Sequence, residues 1–372
     1  MHVLVAPDKF AGTLTAVEAA EAVAAGWRDA APGDELLVRP LSDGGPGFVD
    51  VLHHATGGRL VEVPTVDPLG RPVTGSVLLA GDGTAYVESA QACGLHLLAP
   101  HERSPRTTTS YGLGPLLLAA VESGVRRIVV GLGGSATNDA GAGMLSALGV
   151  TPLDEAGYAV GYGGAALLGC ARLDGAPRIR GVALVAATDV DNPLTGLYGA
   201  SSVYGPQKGA TREDVLVLDA ALARFSRVLE EGLGSCPPGV GELPGAGAAG
   251  GLGAALFALG GGRVSGIGLV RERTGLDAAL DAADLVVTGE GSFDDQSLRG
   301  KVVAGVAGAA AERGLPCVVV AGRVSAGRRL AAAAGITESH SLVDAVGEDE
   351  ALARPAEALR ALAGRIARQW SR

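Results

Sequence analysis

Acids, lysines and glycine turns recur together at the ends of apolar runs in this chain. Asp8 and Lys9 follow the run 2–6, Ser42 and Asp43 follow 36–41, and Asp189 follows 182–187. The run 283–288 leads into Gly289-Glu290-Gly291-Ser292-Phe293-Asp294, and that polar stretch continues to Lys301. A further run, 127–131, breaks into Gly131-Leu132-Gly133-Gly134-Ser135-Ala136-Thr137-Asn138-Asp139-Ala140-Gly141-Ala142-Gly143, five glycines in thirteen residues. A strand, a polar glycine-rich turn and a helix in succession present bare N–H groups to an anion. The same letters also describe a tight turn packed on a neighbour. Carboxylate, ammonium and backbone amide are together the kit of phosphoryl transfer. An acid takes the acceptor's proton, and Mg²⁺ bridges phosphate oxygens.

The lysines sharpen this reading. Of 30 basic residues only Lys9, Lys208 and Lys301 are lysine. So strong a bias to arginine suggests that lysine survives where a compact ammonium is needed. All three lie in glycine-bearing stretches, which suits phosphate handling. Thr188-Asp189-Val190-Asp191 after a strand suits Mg²⁺, which binds through one or two carboxylates and keeps its waters. Asp189 is the better metal candidate, since Asp191 before Asn192-Pro193 also fits an Asx-turn.

Other chemistries lack their residues. No HExxH, histidine cluster or G-x-S-x-G elbow occurs, and Cys93, Cys170, Cys236 and Cys317 are scattered as core thiols would be. A net charge of −10 argues against a nucleic-acid or membrane-surface binder. The start Met1-His2-Val3-Leu4-Val5 lacks a signal peptide's basic region, and the uncharged stretch 243–262 contains too much Gly and Ala to insert in a membrane. A cytoplasmic protein is expected.

The elements that position these residues read as α/β. At 372 residues two domains are the prior, and 47% hydrophobic residues with 3% aromatics suit Ala/Val/Leu helices on parallel sheets. Strand, loop and helix alternate twice before residue 60, with Thr15 to Glu18 a capping box. Strands 59–66, 72–80 and 84–89 then suggest an inserted portion, and Thr107 to Ser110 read as caps for a helix over 112–124. Gly245-x-Gly247-x-x-Gly250 has the letters of a dinucleotide fingerprint, but no strand precedes it. Residues 215–231, 302–313 and 355–370 read as helices. Ligands of open α/β sheets bind at the strands' carboxyl ends, where the acidic loops fall. At this level three readings compete: a small-molecule kinase, a nucleotide-cofactor dehydrogenase resting on Gly131-x-Gly133-x-x-Ala136 and Asp154, and a non-catalytic anion-binding protein.

The stretches 6–16 (APDKFAGTLTA), 42–47 (SDGGPG), 131–143 (GLGGSATNDAGAG), 188–194 (TDVDNPL), 205–210 (GPQKGA), 244–256 (PGAGAAGGLGAAL) and 288–301 (TGEGSFDDQSLRGK) together resemble the glycerate kinase family of the bacterial type that makes 2-phosphoglycerate. Two positions depart from the family's pattern. The first loop has Lys9, with Ala11 at the usual lysine position, and Pro46 stands where a glutamate usually follows the paired glycines. The resemblance implies ATP-dependent phosphorylation of D-glycerate with Mg²⁺, with a related hydroxy acid as the alternative substrate. It also implies a Rossmann-like doubly wound domain from both chain ends (1–60 and 275–372). A second α/β domain (61–274) is inserted, and the active site lies in the cleft between the two. A monomer or homodimer is expected.

With that reaction implied, loop position and residue type assign roles. Asp189 and Glu290 are the candidates for Mg²⁺ or the catalytic base, and Lys9 and Lys301 would neutralise the transferring phosphate. Asp8, Ser42, Asp43, Asn138, Asp139 and Asp294 are candidates for glycerate. Gly133, Gly134, Ser135, Lys208, Gly289, Gly291 and Ser292 are candidates for phosphate or nucleotide. Lys301→Ala is expected to lower kcat by roughly a hundredfold or more with the fold intact, and an unchanged kcat would remove Lys301 from the mechanism.

Overall fold

Near-continuous apolar strands such as Val3-Leu4-Val5 and Cys317-Val318-Val319-Val320 require cover on both faces, which is the condition of parallel sheets. The computed structural model, which describes residues 1–10, 12–295, 297–298 and 302–371, has this α/β architecture. The strands in chain order are β1 (His2–Val5), β2 (Glu35–Val38), β3 (Arg59–Val66), β4 (Pro72–Leu79), β5 (Thr84–Glu88), β6 (Arg127–Gly131) and β7 (Val150–Leu153). They continue with β8 (Arg172–Gly175), β9 (Ala183–Ala187), β10 (Gly262–Val264), β11 (Leu285–Phe293), β12 (Cys317–Val324) and β13 (Glu338–Ser341). The chain divides into two compact units, one of residues 1–43, 50–56 and 267–372, the other of 44–49 and 57–266.

The first unit carries a sheet of order β13-β12-β11-β1-β2, with every neighbouring pair parallel. Val3, Val5, Leu285, Val287, Val318 and Val320 face the helices Ala16–Ala30 and Pro355–Trp370. Leu4, Val286 and Val319 alternate to the other face and are equally buried. The helix Ala16–Ala30 starts where the sequence predicts, on a Thr15/Glu18 capping box. Its Trp27 is fully buried, with the indole N–H donated to Asp34 at 2.9 Å. A side chain at Gly26 would stand 2.0 Å from the Arg360 carbonyl, so glycine sets how closely the two helices approach.

The second unit carries a sheet of order β10-β9-β6-β5-β4-β3 and a separate β7–β8 pair. β5, β6, β9 and β10 are parallel, and β3 and β4 form an antiparallel edge. Its core is mostly aliphatic, built around Ile128, Val130, Leu145, Leu222 and Leu252, with Phe225 and Phe257 among them.

Three local expectations are corrected. β11 runs through Phe293 because Gly289, Glu290 and Ser292 pair with β12, so Gly289 to Ser292 are strand residues and not loop. The helix expected after the glycine-rich turn is short, Ala142–Ala147, and β7 begins at Val150 after Gly149 turns at φ 94°. The hydroxyls of 107–110 do not cap the helix Leu113–Glu122, whose N-cap is Gly112 with no side-chain bond. Those of Thr108 and Ser110 are used elsewhere, as described below. Among the described residues no helix is long and apolar enough to cross a membrane.

Candidate active site

In the first unit the strand order reverses between β1 and β11. This is the switch point at which doubly wound sheets take their ligands. Asp8 lies just past β1, and its N–H donates to the Gly289 carbonyl at 2.8 Å, which sets it beside Glu290 of β11. On the other side the Leu41 N–H donates to the Pro7 carbonyl at 2.9 Å and brings Ser42 and Asp43 to the same edge. Ser42 and Glu290 are buried, while Asp43 is exposed.

Asp8 is the perturbed group of this edge. Its side chain is 13% exposed, and the Lys9 ammonium stands 3.5 Å from it. Burial pushes its carboxyl up from 3.8 to about 6, Lys9 opposes the rise, and the charges of Asp43 and Glu290 add to it. Three carboxylates and one ammonium thus share a single sheet edge.

Gly289 and Gly291 are explained by strand pairing. A Cβ at 289 would stand 2.1 Å from the Val320 carbonyl, and one at Gly322 would stand 2.5 Å from the Gly291 carbonyl. Ser292 is exposed at the end of the strand. Asp294 accepts the Ser297 N–H at 3.1 Å, and its own N–H donates to the Ser297 hydroxyl at 3.1 Å. Lys301 lies outside the described residues.

In the second unit the carboxyl ends of β6, β9 and β10 carry the glycine loop, Asp189 and Ser265. Asp189 is exposed and accepts the Ser265 hydroxyl at 2.6 Å, while Asp191 pairs with Arg263 at 2.6 Å. Gly133 and Gly134 pack against the start of the 44–49 segment. Side chains there would stand 2.7 Å from the Gly45 Cα and 2.8 Å from the Pro46 ring.

Beyond them the loop turns its polar groups inward. Ser135 and the Thr137 carbonyl accept from the Lys208 ammonium at 2.9 and 2.7 Å. The Ala136 carbonyl accepts the Thr108 hydroxyl at 3.0 Å, and the Asn138 amide donates to Ser201 at 2.8 Å. Asp139 accepts four bonds, from the N–H and hydroxyl of Ser110 and the N–H groups of Gly141 and Gly143. Burial still pushes its carboxyl up against those four donors. Lys208 is 2% exposed. Burial pulls its ammonium down to about 7, with Asp139 and Cys93 opposing.

With the carbonyls turned in, the N–H groups of Gly133, Gly134, Thr137, Asn138 and Asp139 have no acceptor among the described residues. Gly133 is half-buried and Gly134 exposed, but Thr137, Asn138 and Asp139 are buried, and buried backbone donors nearly always find an acceptor. A run of them is the concavity that binds anions.

The Gly247–Gly251 stretch begins the helix Ala248–Ala258 and backs this loop. A Cβ at Gly250 would stand 1.9 Å from the Thr137 carbonyl, and Gly247 packs as closely on the Pro193 carbonyl. These glycines serve backbone approach. Glu88, unmarked in the sequence because it reads as an ordinary strand residue, is buried at the end of β5 and accepts the N–H groups of Gly47 and Val49 at 3.0 and 3.3 Å. It thereby places a carboxylate at the N-terminus of the helix Phe48–Thr56, next to Pro46.

A family model described as the glycerate kinase family matches residues 3–371. Glycerate kinase of Bacillus subtilis (strain 168) is 43% identical over 373 residues, covering 99% of this chain and 97% of the relative. Glycerate 2-kinase of Escherichia coli (strain K12) is 40% identical over 359 residues, covering 94% and 93%. A crystal structure from Salmonella typhimurium LT2, assigned as glycerate kinase 2, superposes with a TM-score of 0.80 at 40% identity and covers 99% of this chain and 98% of that one.

Proposed function

The chain belongs to the glycerate kinase family, and from that premise we propose that it transfers the γ-phosphoryl group of ATP to the 2-hydroxyl of D-glycerate. The observation that carries this reading is the gathering of Asp8, Lys9, Asp43 and Glu290 at the switch-point edge of the first unit. Phosphoryl transfer needs little covalent help from a protein. It needs the acceptor oriented, its proton taken and the phosphate's charge met.

Asp8 is our candidate for the proton. A carboxyl at about 6 is ionised near neutrality yet basic enough to accept a proton from a hydroxyl as its bond to phosphorus forms. Asp43 and Ser42, on the adjoining loop, are assigned to the glycerate hydroxyls. Lys9 meets the charge of the transferring group, and Lys301 is proposed for the same part. The N–H groups of Gly133, Gly134, Thr137, Asn138 and Asp139 are assigned to an anionic group, either phosphate or the glycerate carboxylate.

A divalent cation fits the donors present. Clustered carboxylates are hard oxygen ligands, and Mg²⁺ needs only one or two of them because waters and phosphates complete its shell. The described residues accordingly need no ready-made group of three ligands, and none is found among them. Glu290 is proposed to hold the ion in the first unit, and Asp189, fixed by Ser265, is the candidate in the second. When bound, the ion would neutralise charge on the β- and γ-phosphates. Asp139 and Lys208 are assigned to holding the loop.

Phosphorus NMR of the product tests the regiochemistry. A 2-phosphoglycerate signal is expected. A 3-phosphoglycerate signal would keep the kinase and overturn the assigned hydroxyl.

A further inference from the structure

Lys208 is a charged side chain that is 2% exposed and lies beneath the loop with the unpaired amides. It comes from the turn Pro206–Lys208, which is flanked by two closely packed glycines. A Cβ at Gly205 would stand 2.3 Å from the Ser201 carbonyl, and one at Gly209, φ 93°, would stand 2.3 Å from the Arg103 carbonyl. From this fixed base the ammonium reaches two points of the loop, Ser135 Oγ at 2.9 Å and the Thr137 carbonyl at 2.7 Å. Ser201, in the helix just before the turn, holds Asn138. One short segment therefore grips residues 135, 137 and 138 from the same side.

We propose that Lys208 is a positioning residue: by holding the Ser135 hydroxyl and the Thr137 carbonyl inward, it aims the N–H groups of Gly133, Gly134, Thr137, Asn138 and Asp139 at an anionic group of the substrates without touching that group itself. The inference rests on the reading of this loop as the kinase's anion site. A peptide unit has two ends, so fixing the Thr137 carbonyl also fixes the direction of the Asn138 N–H. In a chain that uses arginine for nearly every cation, lysine suits this place. Its compact ammonium fits a closed space between two acceptors, where a planar guanidinium would need a wider one.

The test uses the full-length protein and three variants, K208M, K208Q and the double variant K208M/S135A, with S135A as reference. K208M is expected to stay folded, because an uncharged chain of similar volume replaces a buried charge. It should lose about tenfold or more in kcat/KM, since small misplacements at a site cost that much. K208Q, whose amide can still donate to the Thr137 carbonyl, should recover part of the loss. The double variant should be no worse than K208M, because Ser135 acts through the same contact. Amide hydrogen exchange across 133–141 should be faster in K208M than in wild type, and binding of inorganic pyrophosphate should be weaker.

Wild-type kinetics in K208M would overturn the inference. So would losses from K208M and S135A that multiply with unchanged exchange, which would mean direct contact with phosphate. A wild-type protein that turns over no glycerate would instead remove the proposed reaction, and exchange and pyrophosphate binding would still report on Lys208. Should K208M fail to fold, K208Q carries the same comparison.

Discussion

Replacing Asp8 with asparagine is expected to make the protein more stable and almost inactive. The Asp8 carboxyl is raised from 3.8 to about 6 in the folded chain. Between those values the folded state holds a proton that the unfolded state has released. The stability from this group is therefore present at low pH and is lost as pH rises through about 6. Above that, the ionised carboxylate costs up to about 3 kcal/mol. Asparagine removes the charge and keeps an oxygen for the Lys9 N–H, which now donates to Asp8 at 2.7 Å. At pH 7.5 the denaturant midpoint should rise, at pH 4 the difference should shrink, and kcat should fall by about a hundredfold to ten-thousandfold with loss of the base. Lower stability at pH 7.5 would show that Asp8 is held by contacts worth more than its burial costs. An unchanged kcat would take it out of the chemistry.

Gly250→Ala should damage the same function from the second unit, without altering any polar group. Gly250 has φ 72°, and its Cβ would stand 1.9 Å from the Thr137 carbonyl. The left-handed backbone and the overlap together should cost about 2–4 kcal/mol. Any relief moves the carbonyl that Lys208 holds and turns the neighbouring amides with it. A displacement near 1 Å should lower kcat/KM by about a hundredfold. Gly305→Ala is the control, since its Cβ meets nothing within 4 Å in the helix Val302–Glu312. It should leave activity unchanged and add about 0.5–1 kcal/mol. Denaturation curves and steady-state kinetics of both variants decide this, and equal activity in the two would mean the loop tolerates displacement.

Much of this architecture is legible in the residues, because it is local. Thr15 and Glu18 start a helix, apolar runs of four to eight residues with polar ends are strands, and the acidic loops fall at carboxyl ends because alternation with helices forces parallel strands. The class of chemistry is legible too, in carboxylates, three lysines and a glycine loop.

What escapes is decided by distant partners. Lys208 reads as a cation in a glycine turn, and nothing near it in the sequence shows that its ammonium donates to Ser135, 73 residues away. Thr108 and Ser110 read as helix caps, but they hold Ala136 and Asp139 instead. Glu88 reads as a strand residue, and only Gly47, 41 residues back, shows what it caps. Glycine itself is ambiguous in sequence. It marks where a side chain cannot fit, and whether a ligand or another backbone fills that space depends on the fold. At 289, 247 and 250 the answer is backbone.

Phosphoryl transfer to glycerate is tested by ADP release from the purified wild-type protein with ATP, Mg²⁺ and D-glycerate. Saturable release is expected that requires glycerate and falls away when Mg²⁺ is chelated. A folded protein that binds ATP and releases no ADP with D-glycerate would contradict it.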